Sequence, residues 1–109
     1  MADVRQRSFL LLYDVDCRLR HRHTRIKRQI VHFVVQLEVL RRGRWHAVVR
    51  YDTAHGFAHR DLVHPSGRVE KFLLPSQDFN EALTYAELDL DANWIAYRER
   101  FLQEVSDHG

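Results

Sequence analysis

Residues 50–64 read Arg-Tyr-Asp-Thr-Ala-His-Gly-Phe-Ala-His-Arg-Asp-Leu-Val-His, with three histidines and two aspartates in fifteen positions. Histidine moves protons near neutral pH, a carboxylate orients its ring, and an arginine grips a phosphate. With Thr53–Gly56 as a four-residue hairpin loop, Asp52 pairs with Phe57, Arg50 with His59 and Val48 with Asp61. Directly opposed residues share a face of the sheet. Arg50, Asp52, His59 and Asp61 then occupy the face away from the core, with His55 in the loop above them. Three chemistries fit. In the first, His55 and His59 are acid and base, Asp52 or Asp61 orients a ring, and Arg50 clamps a phosphate, a toolkit for RNA cleavage without metal or cofactor. In the second, His55, His59 and an aspartate hold a divalent metal. In the third, the cluster is a hydrogen-bonded polar corner that fixes the turn.

A second group of residues speaks to phosphate. Arg18, Arg20, Arg22, Arg25, Lys27 and Arg28 are interleaved with His21 and His23. On a strand, Arg18, Arg20 and Arg22 point the same way and present a row of cations to a nucleic-acid backbone. The competing reading is a charged edge strand that resists aggregation. The wider charge pattern agrees with either: residues 1–50 carry a net +8 and residues 51–109 a net −6. The basic half suits RNA or an acidic, antitoxin-like protein, and it equally suits the acidic half of the same molecule or of a second copy.

The elements that must position these residues follow from periodicity. Phe9, Leu11, Tyr13, Val15, Cys17 and Leu19 alternate with polar residues, as in a half-buried strand. Residues 30–40 and 45–52 alternate likewise about the turn Arg41-Arg42-Gly43-Arg44, a weaker strand covers 57–64, and a last strand covers roughly 68–74. In residues 45–52, Trp45, Ala47, Val49 and Tyr51 are expected inward, and His46, Val48, Arg50 and Asp52 outward. After Pro75 the period changes. Phe79, Leu83, Ala86, Leu90, Trp94, Tyr97, Phe101 and Val105 recur at three and four, which predicts an amphipathic helix over 78–105. Asp78 and Glu81 mark its start as a capping box. The expected fold is therefore α+β: an antiparallel meander of about five strands, covered on one face by a long C-terminal helix. Phe33, Val35, Leu37, Trp45, Val49 and Tyr51 are expected to face that helix.

All 109 residues read as one domain. A single cysteine, Cys17, excludes an internal disulfide and, with no secretory signal in the sequence, points to the cytoplasm. The longest apolar run, Phe9 to Tyr13, is too short to span a bilayer, so no membrane role is expected. The helix is about 40 Å long at 1.5 Å per residue, long for so small a domain. With the charge asymmetry, this leads us to expect a homodimer.

Three segments carry a resemblance. Val34–Glu38, Val48–Gly56 and the helix around Asn93-Trp94 resemble a group of small prokaryotic proteins built around Arg-Tyr-Asp-Thr-Ala-His-Gly, over roughly residues 30–102. That likeness implies one compact domain and no established activity. Arg50, Tyr51, Asp52, Ala54 and His55 are also similar to the Arg-Tyr/Trp-Asp segment of TumE-type toxins of toxin–antitoxin modules, although Gly56-Phe57-Ala58 departs from it. The resemblance implies a toxin-like protein acting on RNA, an endoribonuclease without cofactor. The alternative is a non-catalytic module that contacts nucleic acid or an acidic protein through its basic half.

Overall fold

The computed structural model describes residues 3–107. Six strands form one antiparallel sheet in chain order: β1 (Val4–Asp14), β2 (Cys17–Ile26), β3 (Gln29–Arg41), β4 (Arg44–Asp52), β5 (His59–Val63) and β6 (Val69–Leu73). A single helix, α1 (Phe79–Asp107), runs without interruption and lies over β3 and β4.

The α+β expectation holds, with six strands in place of about five. The extra strand comes from residues 4–26, which fold back at Val15-Asp16 so that Asp14 pairs with Cys17. The Asp14 carboxylate accepts a hydrogen bond from the Val15 N–H at 2.8 Å and closes the turn. Tyr13 packs on Trp94 of the helix, and Cys17 lies in the core, so the inward parity runs through the turn unchanged. A period-two pattern cannot reveal a turn that preserves parity.

The core sits between α1 and the inward residues of β2 to β4. Cys17, Phe33, Val35, Leu37, Val39, Val49, Tyr51, Ala86 and Leu90 are fully enclosed. Burial pushes the Cys17 thiol up to about 11, so it packs as a small apolar group. One expectation fails here: Trp45 does not face the helix. Its ring lies under the Arg18 guanidinium, 4.0 Å from Cζ to centroid, on the opposite side of the sheet. The cause is a bulge: Leu37 pairs with Val49, but Glu38 pairs with Ala47, so Val48 is the extra residue. Parity flips there. His46 turns inward to Phe101 instead, 6.0 Å between ring centroids.

The helix is tied to the sheet by polar contacts as well. Tyr51 and Tyr97 both donate to Asp89 Oδ2 at 2.6 Å. At the start of α1, Asp78 Oδ1 accepts from the Asn80 and Glu81 N–H groups at 2.9 and 3.1 Å, the expected cap. Glu81 does not complete a capping box. Its carboxylate accepts from the Ser76 hydroxyl, 2.7 Å away. At the far end, His64 lies between Glu104 of α1 and Glu70 of β6, at 2.7 and 2.5 Å.

Candidate functional site

Among the described residues no helix packs on the sheet face opposite α1, and its side chains form ordered rows across the strands. The strand pairings place Leu10, Arg20, Gln36, Arg50, Asp61 and Lys71 in one row across all six strands. The next row carries Ser8, Arg22, Val34, Asp52, His59 and Leu73. Neighbouring members of a row stand about 5 Å apart, the spacing of hydrogen-bonded strands. Sequence-remote charges therefore meet.

Arg50, Asp52, His59 and Asp61 do share this face, though by a different register from the expected one. Asp52 pairs with His59, and Arg50 with Asp61. The connection runs from Thr53 to Ala58, six residues, because a short 3₁₀ turn at Ala54–Gly56 is inserted. The register moves by two, and an even shift keeps every side chain on its face. The loop is anchored at both ends. The Phe33 N–H donates to Thr53 Oγ1 at 3.1 Å, and the Thr53 N–H donates back to the Phe33 carbonyl at 3.2 Å. Gln77 clamps Ala58, accepting from its N–H at 2.8 Å and donating to its carbonyl at 2.9 Å.

The centre of the cluster is dry. His59 is 3% exposed, Asp61 5% and Asp52 8%. The His59 Nδ1–H donates to the Phe57 carbonyl at 3.0 Å, which fixes the tautomer with Nε2 unprotonated in the neutral ring. Nε2 lies 2.7 Å from Asp52 Oδ1 and 3.7 Å from Asp61 Oδ1. Neither contact has the alignment of a hydrogen bond, so Nε2 is a buried atom without a hydrogen-bond partner among the described residues. Asp52 Oδ1 also accepts from the Ala54 N–H at 3.2 Å. Lys71 Nζ reaches Asp61 Oδ1 at 2.8 Å, and the Arg50 guanidinium stands 3.7 Å from Asp61 Oδ2.

His55 is not part of this convergence. It lies exposed in the 3₁₀ turn with φ of 63°, a left-handed conformation that costs an L-residue energy. Of the five expected site residues, four come together, and His55 is held outside them on the turn.

The basic residues divide too. Arg18 and Arg20 each donate through Nε to Glu38, at 2.7 and 3.2 Å, and Gln36 donates to the same carboxylate at 2.6 Å. Gln36 in turn accepts from Arg50 Nε at 2.7 Å, which links the arginine row to the histidine cluster. Arg22 extends the row and has no ion-pair partner among the described residues. Arg25, Lys27 and Arg28 are exposed at the β2–β3 hairpin, beside the start of α1, where Asn80 donates to the Arg28 carbonyl at 2.9 Å.

Sequence reasoning missed Gln36, Glu38 and Lys71. Pairing the last two strands about a four-residue His64–Gly67 turn sets Glu70 opposite Asp61; the structure pairs Val63 with Val69, one residue later, and so brings Lys71 there instead. Glu38 gave no signal, because it is a lone acid in an apolar strand whose arginine partners lie on another strand.

A family model described as a domain of unknown function, DUF7718, matches residues 2–107, and the chain belongs to that family. No curated protein and no solved structure shows a match.

Proposed function

We propose that this member of the DUF7718 family acts on RNA, holding the phosphate backbone across its uncovered sheet face. The observation that supports this is the set of cations on that face, Arg18, Arg20 and Arg22 along β2 with Arg50 and Lys71 farther across the sheet. The Nε atoms of Arg18 and Arg20 are spent on Glu38; Arg18 lies largely buried against Trp45, while the exposed Arg20 keeps its terminal guanidinium nitrogens as donors on the surface. Arg22, Arg50 and Lys71 extend the positive surface across the sheet. Trp45 adds a flat apolar ring at one border.

Charge reversal tests the proposal. Arg20→Glu/Arg22→Glu is expected to weaken binding to a single-stranded RNA about tenfold or more at moderate salt. The slope of log affinity against log salt should also fall by about 1.4 for the two lost phosphate contacts. An unchanged slope in a folded variant overturns the proposal.

A cleavage reading is the second, favoured by the convergence of Arg50, Asp52, His59 and Asp61 beside that face. His55, exposed on the turn, supplies the proton-transfer group that substrate can reach, and the buried His59 orients the aspartates. In a toxin-like ribonuclease, His55→Ala lowers cleavage by ~10²–10⁴ while RNA binding persists. A binding module loses nothing on that substitution.

The partner proposals rest on β1. This edge strand exposes Leu10, Leu11 and Leu12, and among the described residues no strand pairs with its outer side. Pairing of β1 with β1 of a second copy satisfies both, and an acidic, antitoxin-like segment adding to the same edge is the competing occupant. Light scattering is expected to give twice 13.1 kDa, falling to the single-chain mass in Leu10→Asp/Leu12→Asp. A wild-type protein of single-chain mass at micromolar concentration refutes the homodimer.

A further inference from the structure

We infer that Asp52, His59 and Asp61 form a binding site for one divalent transition-metal ion, an inference that does not depend on RNA being the partner. Their nearest ligand atoms lie within 4.8 Å of one another, and all three residues are buried. Three features point to a cation. First, Nδ1 is taken by the Phe57 carbonyl, and the buried Nε2, without a hydrogen-bond partner among the described residues, faces both carboxylates, so that in the neutral ring its lone pair points between them. A backbone carbonyl on the far nitrogen is the usual means of orienting a metal-ligating histidine. Second, three electron-pair donors that converge in a dry site repel one another unless positive charge sits among them. Third, the separations of 2.7 and 3.7 Å from Nε2 bracket the ligand-to-ligand edges around an ion bound at roughly 2.0–2.2 Å.

One imidazole and two carboxylates suit zinc or manganese, and leave further positions for water or a phosphate oxygen. Calcium, which prefers all-oxygen shells, fits poorly. Positive charge already stands at the rim, since Lys71 Nζ lies on Asp61 Oδ1. Its side chain is 57% exposed and flexible, so it can swing into solvent when an ion takes the oxygen. Lys71 and the metal then compete for one carboxylate, which gives the site a distinctive response to mutation.

The test is equilibrium dialysis of the whole chain against zinc chloride, and separately manganese chloride, with metal analysis and thermal unfolding of each sample. We expect one ion retained per chain and a melting temperature that rises with metal. Both effects should disappear in His59→Gln and in Asp52→Asn/Asp61→Asn. Because a buried substitution can impair folding, Lys71→Met supplies a variant at the exposed rim, and it should bind the ion about tenfold more tightly. A wild-type protein that retains no more metal than the double variant overturns the site. So does retention unchanged in a folded His59→Gln protein, or an affinity that ignores Lys71.

Discussion

Phe33→Ala is expected to lower the unfolding free energy by ~3–5 kcal/mol, read as a shift of the urea midpoint with little change in slope. Phe33 is fully enclosed at the middle of β3 and meets Phe79 edge-to-face, ring centroids 6.3 Å apart. The substitution removes that contact and leaves a cavity under the first turn of α1, where the surrounding strands cannot collapse freely. Its reach extends to the candidate site, because the Phe33 backbone exchanges hydrogen bonds with Thr53, which anchors the loop leading to His59. A loss below about 1 kcal/mol would mean that the helix packs elsewhere on the sheet in solution.

The readings that succeeded depend only on parity. The set Arg50, Asp52, His59 and Asp61 was legible because alternation assigns faces, and a six-residue loop in place of a four-residue one moves the register by an even number. The helix was legible because its change of period after Pro75 has no strand equivalent. The failures occur where parity breaks or hides. The bulge at Val48 turned Trp45 and His46 around, and an apolar-polar string carries no mark of which residue is extra. The turn at Val15-Asp16 preserved parity, so two strands read as one. His55 fell outside the cluster because the inserted 3₁₀ turn carries it away from the strand ends, a loop geometry that residue types alone do not specify. Glu38 stayed hidden because its importance lies in three donors from positions 18, 20 and 36 that only the register brings together.

Glu38 yields the second large effect, and one in which stability and binding move in opposite directions. Its side chain is 7% exposed and receives hydrogen bonds from Arg18, Arg20 and Gln36. Glu38→Ala strands the Arg18 guanidinium in a half-buried position and is expected to cost about 3 kcal/mol, the lower end for a broken buried pair because Arg20 is exposed enough to recover water. Burial by itself would raise the Glu38 carboxyl. The hydrogen bonds from Arg18, Gln36 and Arg20 outweigh it and hold the group below the usual carboxylate range. A pKa lower in the folded than in the unfolded chain gives stability that is present above the unfolded value and lost as pH falls through the folded one. Thermal melts should therefore show wild-type stability declining on the acid side of the carboxylate range, with a shallower decline in Glu38→Gln. The same substitution removes the negative charge that shares Arg18 and Arg20, and so leaves both guanidinium groups freer for phosphate. If the uncovered face holds RNA, Glu38→Gln binds it more tightly and with a steeper salt dependence while melting at a lower temperature. If the arginines serve only to neutralise Glu38, the variant loses stability and its affinity for RNA does not rise, which would return the row to the role of a solvated, self-paired surface.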